Sequence, residues 1–230
     1  MKIPSLPEIE RQPLQKWNDK RTAVVFTTEQ VWNLVKDQLD IFYQQKFYVA
    51  EATKPAMDYF VNQTKAEVVY GIGGGLAIDT AKYVAANLKK PLFAIPTVLS
   101  TDAFLTDATG VRIKGCVRYL ASQSPDLVLV DVDLLCRAPT EMRTNGAADV
   151  LSIATGMWDW QYAQDTGKNL PNQMIEPHVV EIGNAILRNL IKNAKEIGNG
   201  TTTGMKVLFD LLCLEVQLCY LCGHSRLEEG

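Results

Sequence analysis

Several features are scarce or missing in this 230-residue chain, and each absence excludes something. There is no basic stripe. Lysine and arginine total 23 against 26 acidic residues, for a net charge of -3 and a pI near 5.5, so nucleic acid is not an expected partner. The five cysteines form no dense, regular framework. Cys116 and Cys136 stand alone, while Cys213, Cys219 and Cys222 lie near the end, which argues against a secreted disulfide scaffold. The first eight residues lack the apolar core of a signal peptide. The greasiest stretch, from Val207 to Cys222, carries Asp210, Glu215 and Gln217 and is too short and too polar to span a bilayer. No membrane association is therefore expected, and the chain reads as a reduced, soluble, cytoplasmic protein. Its Asn62-Gln63-Thr64 and Asn199-Gly200-Thr201 sequons are then chance matches. With 15 glycines, 10 prolines and 47% apolar residues, the composition is that of a globular protein with a real core.

What is present reads first as alternating strands and helices. Residues 1–19 look irregular. Short apolar strands are expected at 22–27, 47–50, 67–71, 91–96 and 127–131. Helices are expected from Glu29 to Leu39, from Pro55, and from Leu76 to Leu88. Apolar strands without alternation, separated by helices, are strands covered on both faces, hence a parallel sheet in an α/β domain. Beyond Arg137-Ala138-Pro139 no strand is convincing, and helices are expected at 140–164, 176–199 and 203–223. The expected organisation is a Rossmann-like α/β domain over residues 1–138, then an all-α domain over 139–230. The second domain lacks a closing element, which suggests a C-terminal truncation.

Three clusters carry chemistry. Gly71-Ile72-Gly73-Gly74-Gly75 lies between an expected strand and helix. Glycines there let a ligand approach backbone N–H groups at the positive end of the helix, an arrangement suited to a phosphate or pyrophosphate. It is neither a Gly-x-Gly-x-x-Gly fingerprint nor a Walker loop. Pro96-Thr97-Val98-Leu99-Ser100-Thr101-Asp102 follows the fourth expected strand, at the carboxyl edge where α/β sheets bind ligands. Asn145-Gly146-Ala147-Ala148-Asp149 sets small residues beside a carboxylate, which lets another group come close.

Together these clusters, with Pro125-Asp126-Leu127-Val128-Leu129-Val130-Asp131, resemble the iron-containing alcohol dehydrogenase superfamily, in its glycerol dehydrogenase and glycerol-1-phosphate dehydrogenase branch. The resemblance spans roughly residues 20–230 in matching order and spacing. It implies an NAD- or NADP-dependent oxidoreductase acting on a CH–OH group of a small alcohol or polyol, of glycerol or glycerol phosphate type. It also implies a divalent metal, zinc or iron, in the full-length parent. Gly73, Gly74 and Gly75 correspond to the pyrophosphate loop, and Asp79 to a position near the cofactor. Thr97 and Ser100 correspond to residues on the nicotinamide side, Asp102 to a residue facing the substrate, and Asp149 to the first metal ligand. In such sites the metal acts as a Lewis acid that favours the alkoxide.

Three departures qualify the resemblance. Two family histidines that join the aspartate ligand have no counterpart: His178 looks like a helix-start residue, and His224 falls on a non-ligand position. Asp149 alone would hold metal weakly, so this chain is expected to bind metal poorly and to have little activity. Thr28 stands where many relatives carry an acid that bonds the adenosine ribose, so NADP is expected to bind at least as well as NAD. Leu76 replaces a lysine found in some relatives. Competing readings are a dehydroquinate synthase-like cyclase and a non-catalytic nucleotide-binding remnant. Homo-oligomerisation is left open.

Overall fold

Val24, Val25, Phe26, Val68, Val69, Tyr70, Val128, Leu129 and Val130 are all buried, as strands sandwiched between helices must be. In the computed structural model, which describes residues 5–170 and 173–222, the elements run β1 (Glu8–Arg11), β2 (Asn18–Thr27), α1 (Glu29–Val35), β3 (Asp40–Tyr48), α2 (Lys54–Gln63), β4 (Val68–Gly73), α3 (Gly75–Leu88), β5 (Leu92–Pro96), β6 (Ala108–Ile113), β7 (Cys116–Ala121), β8 (Leu127–Val130), α4 (Val132–Cys136), α5 (Thr140–Asp165), α6 (Pro177–Asn199) and α7 (Thr202–Leu221). Six strands form one sheet in the order β1-β8-β5-β4-β2-β3, and every pairing in it is parallel. The expected α/β architecture followed by helices is the observed one.

Three expectations are corrected. Residues 1–19 are not wholly irregular: β1 pairs with β8, and β2 begins at Asn18. β1 reads Glu-Ile-Glu-Arg and is half exposed, so its order comes from pairing and leaves no apolar signature. The second expected strand starts seven residues earlier, at Asp40. This edge strand carries Gln44, Gln45 and Lys46, which hide it from a search for apolar runs. Between β5 and β8 lies an unexpected antiparallel hairpin, β6–β7, turned at Lys114 (φ +52°) and Gly115 (φ +83°). Two successive positive φ values are the geometry of a tight two-residue hairpin turn.

Thr28 caps α1 by accepting from the Val31 amide, and Thr53 caps α2 in the same way. Asp131 caps α4 through the Asp133 and Leu134 amides and also accepts from the Leu14 amide, so this motif aspartate is structural. α3 starts differently: its N-cap is Gly74, no side chain caps it, and no acid lies in its first turn. The largest core cluster joins Ile78, Ala94 and Val128 to Val150, Leu190, Leu208 and Phe209, so the three long helices share one core with the sheet layer, α6 packing on α5 and α7.

Candidate functional site

All six sheet strands are parallel, so their carboxyl ends share one edge. β2 has β3 on one side and β4 on the other, so the chain reverses direction across the sheet between β3 and β4. Open α/β sheets bind ligands in the crevice at such a switch. Here the crevice is bounded by Thr28, just past β2, and by Gly73-Gly74, at the end of β4. Gly73 has φ +147°, a conformation that favours glycine, and a Cβ there would lie 3.2 Å from the Ala77 Cβ. Its carbonyl accepts from the Thr97 amide (3.1 Å), tying the end of β4 to the loop after β5.

The crevice opens into a cavity of about 440 Å³. Gly74, Gly75, Leu76 and Ala77 form its floor at the uncapped start of α3, while Thr28, Thr97 and Ser100 add hydroxyls. Val31, Leu34, Leu134, Pro139 and Met142 supply apolar wall. Among the described residues lining it, Arg137 is the one with a formal charge.

A second cavity, of about 370 Å³, adjoins the first, and both are lined by Gly75 and Leu76. Asp102, Asp149, Asp79 and Asp107 line it, with Arg112 and Tyr119 from the hairpin and Cys219 and Tyr220 from α7. Burial pushes the Tyr220 phenol up to about 12, so it remains a protonated donor at neutral pH. Gly146 explains how α5 reaches this place. A Cβ on Gly146 would sit 1.7 Å from the Leu99 carbonyl oxygen, so only glycine lets the helix lie against the loop. One turn further, Asp149 Oδ2 accepts from the Asp102 amide at 3.1 Å. The two clusters separated by some fifty residues in sequence thus meet by a backbone-to-carboxylate bond.

Beneath this junction lies a buried ion pair. Lys82 is fully buried, with Nζ 3.1 Å from Asp79 Oδ1. It also donates to the carbonyls of Ala103 (2.9 Å) and Ala108, which pins the loop after Asp102. Asp79 Oδ2 accepts from the Gly110 amide (3.3 Å). Burial raises the Asp79 carboxyl above the usual range, even with Lys82 beside it.

The nine residues singled out in the sequence fall around these two spaces. Thr28, Gly74, Gly75, Thr97 and Ser100 line the groove; Gly75, Asp79, Asp102 and Asp149 line the second cavity. Gly73 lines neither and shapes the turn behind them. Asp79 faces the hairpin and Lys82, away from the groove. Sequence reading missed Lys82, whose charge three residues after Asp79 in an otherwise apolar helix run was the available signal. It also missed Tyr119 and the position of Arg112, which depend on the hairpin. Trp160 is buried, its indole N–H donating to the Gln173 carbonyl, whereas Trp158 is exposed; neither lines the two cavities. His178 stands at the start of α6, 3.3 Å from Glu176; His224 lies outside the described residues.

The sequence model of the iron-containing alcohol dehydrogenases matches residues 13–139, more than half of the chain. The chain belongs to that family. Among curated relatives it is 25% identical over 232 residues to a glycerol-1-phosphate dehydrogenase (NAD(P)+) of Hyperthermus butylicus, covering 96% of this chain and 64% of the relative. It is 28% identical over 159 residues to the enzyme so named from Geobacillus thermodenitrificans, covering 69% of this chain and 38% of that one. Its fold matches a probable glycerol dehydrogenase from Sinorhizobium meliloti with a TM-score of 0.76 at 19% identity, over 95% of this chain and 66% of the other. It matches glycerol dehydrogenase from Schizosaccharomyces pombe at 0.69 and 23%, over 93% and 59%. The chain therefore spans less than two thirds of the length of these relatives.

The groove fits a dinucleotide: a glycine floor without side chains, an uncapped helix start, hydroxyl donors and an apolar wall. The described residues do not by themselves fit a metal. No group of three or more His, Cys, Asp or Glu side chains placed to hold an ion occurs among them. No helix among the described residues is long and apolar enough to cross a membrane.

Proposed function

We propose that this chain binds NAD or NADP and provides the cofactor half of a dehydrogenase acting on the CH–OH group of a small alcohol or polyol, of glycerol or glycerol phosphate type. The observation that carries this reading is that the groove and the second cavity meet at Gly75 and Leu76. A dinucleotide whose diphosphate rests on the glycine turn would extend one end past Thr97 and Ser100 to the cavity holding Asp102 and Asp149. The relatives named glycerol-1-phosphate dehydrogenase support the substrate class.

When bound, the cofactor supplies the hydride acceptor. The chain's own residues bind and orient. The amides of Gly75 and Leu76 and the α3 dipole face the diphosphate. Asp102 accepts from a substrate hydroxyl, and the protonated Tyr220 phenol offers a further donor to it. The Gly146 contact and the Lys82 tethers hold that loop in place before substrate arrives. Because no group of three or more His, Cys, Asp or Glu side chains is placed to hold an ion among the described residues, we infer that the 230-residue chain binds zinc weakly and turns over slowly or not at all, while binding dinucleotide.

Fluorescence titration with NADH and NADPH tests this, alongside turnover assays on glycerol, glycerol 1-phosphate and simple alcohols. In Gly75→Asp the new Cβ meets Thr101 Oγ1 at a tolerable 3.4 Å but brings a carboxylate to the glycine floor. It is expected to weaken both cofactors by more than about tenfold through repulsion of the diphosphate. Unchanged binding in Gly75→Asp, or no binding by the unaltered chain, would overturn the reading.

A further inference from the structure

The groove's charge is one-sided in a way that the diphosphate does not require. We propose that Arg137 binds the 2′-phosphate of NADP(H), making this chain selective for the phosphorylated cofactor; the proposal rests on the dinucleotide reading above. In dinucleotide folds a carboxylate beside the adenosine ribose bonds the free 2′-hydroxyl, whereas an arginine nearby accommodates a 2′-phosphate. Here β2 ends at Thr27, and the next residue is Thr28, whose hydroxyl is already engaged as the cap of α1. No carboxylate of the described residues lines the groove. Glu29, next in the chain, is exposed and does not line it. The polar side chains lining the groove are Thr28, Gln30, Thr97, Ser100 and Arg137.

Packing brings Arg137 to this groove although it follows β8 in the chain. Leu134 of α4 shares a buried cluster with Trp32 and Val35 of α1, and Thr28, Val31, Leu34, Leu134 and Arg137 all line the same groove. Arg137 Nε donates to the Asp133 carbonyl (3.2 Å), which steadies the side chain. Among the described residues no carboxylate pairs with it in a salt bridge. A guanidinium presents its donors in a planar fork suited to phosphate, and such charged bonds are stronger than neutral ones.

The test is a calorimetric comparison of adenosine 2′,5′-bisphosphate with 5′-AMP, and of NADPH with NADH, on the intact chain. The unaltered protein should bind the 2′-phosphorylated member of each pair at least about tenfold more tightly. Arg137→Met, an exposed change, should bring each ratio down to about threefold or less. Thr28→Asp keeps an oxygen to cap α1 and should move selectivity toward NADH by about tenfold or more. Equal affinity for both members in the unaltered protein, or ratios unmoved by Arg137→Met, would overturn the assignment. NADH binding without preference for NADPH sinks this proposal and leaves the dinucleotide reading standing; failure of both cofactors to bind sinks both.

Discussion

Replacing Gly146 by alanine should destabilise the protein by about 3–5 kcal/mol, the upper range for a single substitution. The added Cβ would meet the Leu99 carbonyl oxygen at 1.7 Å and its carbon at 2.9 Å, both backbone atoms that cannot swing aside. Either α5 or the loop after β5 must move. Leu99 is itself buried in the main core cluster, and Val150 and Leu208 lie in that same cluster, so the movement opens packed surface. It also separates Asp149 from the Asp102 amide. Urea unfolding of Gly146→Ala beside the parent measures the loss. A change under about 1 kcal/mol would mean that the helix does not rest on the loop as described.

Lys82→Met should cost a similar amount, about 3–5 kcal/mol, because it leaves one partner of a buried pair behind. The Asp79 carboxylate would then be buried without its cation, and the loop from Ala103 to Ala108 would lose its tethers. The loss should grow with pH. Burial already raises the Asp79 pKa in the folded state, so the native protein binds more protons than the unfolded chain in the window above the ordinary carboxylate range. Stability from this group is therefore present below the unfolded pKa and falls as pH rises through the folded one. Removing the cation pushes the folded pKa higher and extends that window upward. Unfolding curves of the variant at pH 5 and pH 8 should differ more than those of the parent. An equal and small loss at both pH values would contradict a buried, paired Lys82.

Much of the sheet was legible because β4, β5 and β8 are apolar on both faces and need no knowledge of their neighbours. The long helices were legible for a related reason: α6 and α7 repeat buried residues at helical spacing, such as Val179, Gly183, Ile186 and Leu190. β1 and β3 were hidden because edge strands are ordered by partners and can carry charge and glutamine. The β6–β7 hairpin was hidden because its signal is a local turn at Lys114-Gly115 without strong flanking apolar runs. The glycine turn could be read because strand, glycines and helix are contiguous. The Asp102–Asp149 contact could not: small residues at 146–148 announce a close approach but do not name the partner. Lys82 escaped because a single lysine in a helix is normally solvated, and here the loop from Ala103 to Ala108 encloses it.

The central claim is that the crevice between the ends of β2 and β4 receives a dinucleotide on the glycine turn. The most direct measurement is a crystal structure of this chain grown with saturating NADPH. The diphosphate should lie within hydrogen-bonding distance of the Gly75 and Leu76 amides, with the adenosine toward Thr28 and Arg137 and the nicotinamide toward Asp102. A cofactor bound elsewhere, or a crevice filled by protein side chains in its presence, would contradict the account.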